Sequence, residues 1–315
     1  MADYRPEMSS EEVAGDTDLS GKLVVVTGGS AGLGIETVRV LAKCGAKVVT
    51  IVRDQAKGQD ALDLIRKTVP DADVDLVTLD LFDLDSVRKC GREIAEKYPK
   101  IDTLINNAGV MAAPLSRTKE GLEIHLGTNF LGHYVLTKYL MNNVIKAAPS
   151  RIINLTSSAH RISPYRIDDP FFEKEEYNKL AAYGQSKTAS VLFTLELDRR
   201  YQDRGVRATA VHPGLIDTEL GRHFTEQEMI FLQTGIPEGV SMKDVSQGAA
   251  TTVWAATTSD FDSLAGRFCE DCAVADEIDD PDEYERGVLP HALDMDVAAT
   301  LWGLGEQWSG EKFPD

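Results

Sequence analysis

The sequence lacks what a disulfide framework, a membrane span or a nucleic-acid interface requires. Four cysteines in 315 residues are too few for a disulfide framework. No window approaches the roughly 18 uncharged apolar residues of a spanning helix, and residues 1–20 have no signal-peptide pattern. There are 51 acidic residues and 33 basic ones, and the resulting net charge of −18 repels nucleic acid and anionic membranes. The sequence therefore predicts a cytoplasmic protein whose partners are small molecules, with neither nucleic acid nor a membrane span.

Two of the few cysteines form a C-x-x-C pair. Cys269 and Cys272 stand in "GRFCEDCAVA", where the spacing fits half of a zinc site or a redox pair. Because no second C-x-x-C completes a metal site, we interpret them as structural cysteines on or beside a late strand and predict no metal. The acidic run 275–287 could bind a cation, but a solvated loop is the favoured interpretation.

Strand-length apolar runs alternate with helical patterns through most of the chain. Residues 1–20 are acidic without hydrophobic period, which predicts a disordered or loosely packed tail before a single domain of 21–315. Near-continuous apolar strands are typical of a parallel sheet covered on both faces. We therefore predict a Rossmann-like, doubly wound α/β fold with seven parallel strands: "KLVVVTG", "AKVVTIV", "VDLVTLD", "DTLINNAG", "RIINLTSS", "VRATAVHPG" and "GRFCED".

One long helix and two irregular segments complete this pattern. Residues 118–145 keep helical spacing of apolar positions and should pack against the sheet or against a partner subunit, as in a homodimer; those positions are Leu122, Leu126, Phe130, Tyr134 and Leu140. Segments 159–181 and 216–242 leave the carboxyl ends of strands, where doubly wound folds bind ligands. The second segment offers either an apolar lid or a packed surface through Phe224, Met229, Phe231 and Leu232.

A glycine-rich turn follows the first strand. In "VVVTGGSAGLGIETVRVLA", Gly28, Gly32 and Gly34 separate a buried strand from an amphipathic helix. Glycines allow backbone amides to approach a pyrophosphate, which the positive end of the helix dipole also favours. The alternative is a tight turn without a ligand, but the strand–turn–helix context favours a dinucleotide site.

Seven motifs in order resemble the short-chain dehydrogenase/reductase family, from Gly21 to about Cys272. They are "TGGSAGLG" (27–34), "LDL" (79–81), "NNAG" (106–109), Asn129 in "TNFLGHY", "NLTSS" (154–158), "YGQSK" (183–187) and "HPG" (212–214). "RD" after the second strand and "SSAH" after the fifth are similar to the branch of retinol dehydrogenases, the WW-domain oxidoreductase and fungal reductases. The resemblance implies a nicotinamide cofactor.

The coenzyme can be predicted from charge. Where NAD-using relatives place a carboxylate at the end of the second strand, this chain has Val52 and Arg53. An arginine pairs with a 2′-phosphate, whereas a carboxylate would accept from a ribose 2′-hydroxyl. Lys57 adds a second positive charge. The alternative is that Arg53 and Lys57 are only solvent-exposed residues at the start of a helix. Ala31 departs from the basic residue that many NADP-using relatives carry there, yet Arg53 favours NADP(H).

The resemblance also implies which other residues contact the cofactor. Asp80 and Leu81 would contact the adenine, and the "NNAG" turn would line the ribose side. The "HPG" turn would lie beneath the nicotinamide, and Thr218 would reach its carboxamide or the pyrophosphate. Together with the glycine turn, this assigns Ser30, Leu33, Asn107, Ala108, Gly109, Pro213 and Gly214 to the cofactor site.

"YGQSK" carries the predicted chemistry. Tyr183 and Lys187 stand four residues apart on a helical pattern and share one face. A fixed ammonium beside a phenol should lower the phenol's pKa from near 10 and make a usable acid and base. By the resemblance, Ser157 would donate a hydrogen bond to the substrate oxygen, with Ser158 as the competing assignment. Asn129 would hold a water chain that returns protons through Lys187. Tyr183 and Lys187 would also contact the cofactor, with Lys187 at the nicotinamide ribose.

The combined pattern predicts an NADP(H)-dependent ketoreductase or alcohol dehydrogenase. Its substrate would be a bulky hydrophobic or secondary-metabolite-like carbonyl compound, because aromatic and apolar residues fill the two irregular segments. The alternatives are an NAD(P)-binding regulatory protein without turnover and an NAD-linked alcohol dehydrogenase. A sugar-nucleotide epimerase is disfavoured because the glycine spacing is T-G-x-x-x-G-x-G.

Overall fold

A computed structural model describes residues 4–216, 218–228, 242–280 and 286–314. Its strands form one sheet in the order β3-β2-β1-β4-β5-β6-β7-β8. Strands β1 to β7 are parallel, as predicted, and β8 is antiparallel to β7. Their bounds are β1 Leu23–Thr27, β2 Lys47–Val52, β3 Val74–Thr78, β4 Thr103–Asn106, β5 Ser150–Leu155, β6 Val206–His212, β7 Phe268–Glu270 and β8 Ala273–Val274.

The helices cover both faces of the sheet. They are α1 Ser10–Ala14, α2 Gly32–Lys43, α3 Gln55–Thr68, α4 Leu84–Lys97, α5 His133–Lys146, α6 Lys179–Tyr201, α7 Val245–Thr257 and α8 Met295–Ser309. Helices α4, α5, α6 and α8 pack with strand residues such as Val25 and Leu104. Helices α1, α2, α3 and α7 pack with Val24 and Ile105, the residues next to Val25 and Leu104 in the sequence. Alternate strand residues thus enter opposite cores, which explains the continuous apolar strands.

The predicted long helix begins later than expected and starts with a π turn. Residues 116–124 form a hairpin-like loop with a bridge between Arg117 and Glu123, so Leu122 precedes the helix. Leu126–Gly132 is π-helical and continues directly into α5. The helix packs against the sheet, as predicted. Helix α8 and the C-terminal Phe313 also cover it, and the Phe313 ring lies 4.9 Å from that of Tyr134.

The N-terminal segment is more ordered than its composition suggests. Helix α1 is capped by Ser9 and Glu12 in a capping box. Its buried Ser10 hydroxyl donates to Glu36 Oε1 at 2.6 Å. The prediction of a loosely packed tail is therefore wrong for this helix. Five residues are too short to produce a periodic signal, and tertiary contacts supply the stability that the segment alone lacks.

The two late cysteines lie beside the last strand pair. Cys269 is on β7, and Cys272 is in the turn to β8 with a φ of 55°. Both are free and buried, with their sulfur atoms near Thr209 and Thr251. Their placement agrees with the interpretation as structural cysteines. In the parts of the chain described, no helix has the length and apolarity needed to cross a bilayer.

Candidate active site

A cleft of about 640 Å³ opens at the carboxyl ends of the parallel strands. It lies at the switch point between β1 and β4, where doubly wound folds bind ligands. Each residue predicted to contact the cofactor lies on its lining: Gly28, Ser30, Gly32, Leu33, Gly34, Arg53, Lys57, Asp80, Leu81, Asn107, Ala108, Gly109, Tyr183, Lys187, Pro213, Gly214 and Thr218. Ser157 is also on the lining, whereas Asn129 is not.

The glycine turn forms the floor at the β1 end. Gly28 has a φ of 78°, and a Cβ on Gly34 would lie 2.1 Å from the Gly28 carbonyl oxygen, so the turn requires glycine at both positions. Helix α2 begins at Gly32, and no side chain caps its N-terminus among the described residues. Its first amides therefore face the cleft as a site for an anion. Thr218 stands opposite, with Cγ2 3.6 Å from where a Cβ of Gly32 would be.

Thr27 ties the first strand to the "NNAG" turn. Its hydroxyl oxygen accepts from the backbone N–H of Asn107 at 2.9 Å and from that of Ala108 at 3.0 Å. The side-chain amide of Asn107 donates to the Thr27 carbonyl at 2.7 Å. Two predicted cofactor residues are therefore held in place by one buried hydroxyl that sequence reasoning did not assign.

His133 completes this contact from α5. Its Nδ1 lies 3.1 Å from the Asn129 carbonyl and its Nε2 lies 2.9 Å from Thr27 Oγ1. The carbonyl can only accept, so Nδ1 carries the proton and Nε2 accepts from the Thr27 hydroxyl. Burial lowers the pKa of His133 to about 4, which agrees with a neutral ring. The sequence signal for this residue is weak, since its partner lies 106 positions away.

Arg53 and Lys57 are exposed at the other end of the cleft. Neither has an ion-pair partner among the described residues. The adjacent Asp54 caps α3, and its Oδ1 accepts from the N–H groups of Ala56 and Lys57. Arg222, which sequence reasoning did not single out, also lines the cleft. At this end of the cleft, Arg53 and Lys57 could therefore form ion pairs with an anionic ligand.

The predicted catalytic side chains meet near the carboxyl end of β5. Tyr183 and Lys187 project from α6, and Ser157 lies close enough to the Tyr183 phenol to lower its pKa. Lys187 Nζ donates to the Leu155 carbonyl at 3.0 Å and lies 5.6 Å from the centre of the Tyr183 ring. Ser158 is not on the cleft lining, and its N–H donates to His212 Nδ1 at 3.3 Å. The geometry therefore favours Ser157 over Ser158.

Burial dominates the protonation of this pair. It raises the pKa of Tyr183 to about 12, against the lowering effect of the Ser157 hydrogen bond. It also lowers the pKa of Lys187 to about 8. The expectation of a tyrosine pKa below 10 is wrong for this geometry, because the ammonium donates to the Leu155 carbonyl and burial of the phenol sets the direction of the shift. At neutral pH the phenol holds a proton that it can donate.

Asn129 lies behind the cleft, within the π turn. Its Oδ1 accepts from the Val110 N–H at 2.8 Å, and its Nδ2 donates to the Val110 carbonyl and to Ser186 Oγ. Both amide hydrogens are thus used to join the loop after "NNAG" to α6. A Cβ on Gly109 would lie 3.1 Å from Asn129 Oδ1 and 3.8 Å from Lys187 Nζ. The side chain supports the cleft, and its part in a water chain stays a prediction.

The two irregular segments contact each other. Lys179, at the start of α6, donates to the His223 carbonyl at 3.2 Å and pairs with Glu228 at 2.7 Å. Its ammonium lies 5.6 Å from the ring centre of Phe224. The start of segment 216–242 is therefore tied to α6. Met229, Phe231 and Leu232 lie outside the described residues, so the lid stays a prediction.

The whole chain is similar to known oxidoreductases. The family model for short chain dehydrogenase matches residues 22–229. Retinol dehydrogenase 12 of Mus musculus is 39% identical over 93% of this chain and 89% of its own length. Short-chain dehydrogenase/reductase prx1 of Penicillium rubens is 35% identical over 91% of this chain and 84% of its own length. A crystal structure of a putative uncharacterized protein from Mycobacterium paratuberculosis is 32% identical, with a TM-score of 0.75 and coverage of 96% and 98%.

The chain therefore belongs to the short-chain dehydrogenase family of oxidoreductases, which use NAD(H) or NADP(H) and act on small molecules. The predicted resemblance and fold class are confirmed.

Proposed function

We propose that this short-chain dehydrogenase is an NADP(H)-dependent oxidoreductase that reduces a carbonyl group, with Tyr183 as its proton donor. The observation that carries the proposal is the position of the buried Tyr183 phenol. It lies on the same cleft as the glycine turn and Ser157, and its ring centre is 5.6 Å from the Lys187 ammonium nitrogen.

The cleft fits a nicotinamide dinucleotide. The open N-terminus of α2 and the turn from Gly28 to Gly34 would hold the pyrophosphate. Arg53 and Lys57 would pair with a 2′-phosphate, and the neighbouring Asp54 carboxylate is already engaged as a helix cap. Asp80 would contact the adenine; its N–H donates to Ser86 Oγ at 3.1 Å and its Oδ1 accepts from the Phe82 N–H at 3.0 Å.

The residues of the chain supply the proton and the orientation. When bound, the cofactor supplies a hydride to the carbonyl carbon. Tyr183 would give its proton to the developing alkoxide, and its raised pKa of about 12 keeps that proton available at neutral pH. Ser157 would donate a hydrogen bond to the same oxygen and fix its position. Lys187 would stabilise the phenolate that forms once the proton has left.

Part of the cleft lining outside the glycine turn is apolar. It includes Met111, Ile124, Leu215 and Leu220. A site of this kind binds a ligand by burying apolar surface while a few polar groups set its orientation. Relatives named as retinol dehydrogenases support the same class, a bulky hydrophobic carbonyl compound or its alcohol.

Coenzyme preference tests the proposal. We expect kcat/KM to be at least about tenfold higher with NADPH than with NADH, measured with one ketone. Arg53→Asp should shift the ratio toward NADH because it replaces the cation with a carboxylate. Arg66→Asp is the matched control, since it makes the same charge change on α3 away from the cleft lining.

Three outcomes separate the proposal from its alternatives. Equal use of the two coenzymes, or a preference for NADH that Arg53→Asp leaves unchanged, would favour an NAD-linked alcohol dehydrogenase. Tight NADPH binding without turnover on a panel of ketones would favour a regulatory protein. An equal effect of Arg66→Asp would show that net charge, rather than a contact of Arg53, sets the preference.

A further inference from the structure

A fully buried carboxylate lies beside the substrate end of the cleft, outside the predicted catalytic set. The Glu123 and His125 side chains are both 0% exposed. Glu123 Oε2 accepts from the N–H groups of His125 and Leu126, each at 3.0 Å. Glu123 Oε1 lies 2.6 Å from His125 Nδ1 and accepts from the Tyr177 hydroxyl at 3.0 Å. Four donors thus surround one carboxylate in the protein interior.

The surrounding donors fix the protonation of this group. Burial by itself raises the pKa of Glu123, but the hydrogen bonds from His125 and Leu126 outweigh it and the pKa is lowered. The Ala113 N–H donates to His125 Nε2 at 3.1 Å. Nε2 is therefore the unprotonated nitrogen, and Nδ1 carries the hydrogen that is donated to Glu123.

The carboxylate joins three parts of the site. The His125 ring meets the Tyr183 ring edge-on, with centroids 6.0 Å apart. Tyr177 belongs to segment 159–181, and its hydroxyl also lies 3.0 Å from the Ala113 carbonyl. Ala113 belongs to the loop after "NNAG", which carries the cleft residue Met111. Through His125 and Tyr177, the buried Glu123 is therefore linked to the Tyr183 ring, to segment 159–181 and to the loop that carries Met111.

We propose that Glu123, His125 and Tyr177 are positioning residues that fix the Tyr183 ring and dock segment 159–181 as one wall of the substrate site. The inference rests on the proposed function, because it assigns this network to the same reaction. His125 acts on the Tyr183 ring and so on the rate of proton transfer. Tyr177 acts on the segment and so on which carbonyl compounds fit.

The first test removes only the Tyr177 hydroxyl. Tyr177→Phe should raise KM for a bulky aryl ketone about tenfold or more while leaving KM for acetone and the Kd for NADPH unchanged. Hydrogen exchange in residues 166–177 should quicken about tenfold because the segment loses its bond to a buried carboxylate. Tyr165→Phe is the matched control: the same segment loses a buried hydroxyl that has no hydrogen-bond partner among the described residues.

The second test separates positioning from substrate fit. Glu123→Gln keeps the shape but puts a neutral amide, with one acceptor oxygen, where the carboxylate takes four donors. We expect kcat to fall about tenfold or more for the bulky ketone and for acetone alike, because the His125 ring loses its fixed orientation beside Tyr183. NADPH affinity should not change. Thermal unfolding monitored by circular dichroism shows whether each variant is folded at the assay temperature.

The outcomes distinguish this inference from the proposed function. If wild-type protein turns over no ketone with NADPH, the proposed function fails, while the exchange experiment still reports whether Tyr177 anchors the segment. If Tyr177→Phe matches Tyr165→Phe in both exchange and KM, the docking role is overturned. If Glu123→Gln is folded and keeps kcat, the positioning role of the network is overturned.

Discussion

Thr27→Val should weaken the fold and the cofactor site together, although valine has nearly the same shape as threonine. The Thr27 hydroxyl is buried, accepts from two backbone N–H groups of the "NNAG" turn and donates to His133 Nε2. Valine would leave all three partners without a hydrogen bond. Each buried group that loses its partner costs about 1–3 kcal/mol. The free energy of unfolding should therefore fall by at least about 3 kcal/mol.

Thermal unfolding gives the first measurement. At roughly 1.5 °C per kcal/mol for a domain of 315 residues, the melting temperature should drop by at least about 4–5 °C. The Kd for NADPH, measured by the fluorescence of the reduced nicotinamide, should rise because Asn107 and Ala108 are no longer held. Thr27→Ser keeps the hydroxyl and loses one methyl group, so it should restore most of the NADPH affinity.

Thr50→Val is the matched control on the neighbouring strand. Thr50 pairs with Val26 in the sheet register, is also buried, and its hydroxyl has no partner among the described residues. The same chemical change should therefore be neutral or stabilising there. A Thr27→Val protein that melts within about 2 °C of wild type and binds NADPH equally well would contradict this role of the Thr27 hydroxyl. Equal losses in the Thr27→Val and Thr50→Val variants would contradict it too.

Two further predictions concern the catalytic pair. Tyr183→Phe removes the transferable proton, so turnover should fall at least about 100-fold while the Kd for NADPH stays the same. In the same steady-state assay, Ser157→Ala should lower kcat and Ser158→Ala should not. Lys187→Met should abolish turnover yet leave the melting temperature at neutral pH equal or higher, because burial of the ammonium opposes folding. Folding lowers the pKa of Lys187 from 10.5 to about 8. The destabilisation caused by burying the ammonium is therefore complete below pH 8 and disappears as the pH rises toward 10.5. Across this range the wild type should gain stability relative to Lys187→Met.

The sequence was informative where physical causes are local. Apolar runs predicted the seven parallel strands because burial on both faces requires them. Strand β8 was missed because two residues carry no period, and the turn that creates it depends on positive φ at Asp271 and Cys272. The glycine turn and "YGQSK" could be located because each motif brings its chemistry together within a few positions.

The remaining features depend on partners that are distant in sequence. Glu123 and His125 stand in "KEGLEIH", where charged residues usually indicate a solvated surface, and their partner Tyr177 is 54 positions from Glu123. The tyrosine pKa was predicted in the wrong direction for the same reason. Four-residue spacing reveals that an ammonium is near, but only the tertiary structure shows how deeply the phenol is buried, and burial raises its pKa.

The π turn explains how one helix contacts both the Glu123 network and the His133–Thr27 hydrogen bond. Leu126, Phe130 and Tyr134 recur every four residues and are all buried, but in an α-helix of 3.6 residues per turn such a series drifts by about 40° at each step. The π turn of Leu126–Gly132, whose hydrogen bonds span five residues, offsets this drift. The apolar face therefore stays against the core from the buried Glu123 network at one end to His133 at the other. Asn129 lies between them and bonds to Val110 and Ser186, so a regular α-helix in this place would separate supports that the cleft needs together.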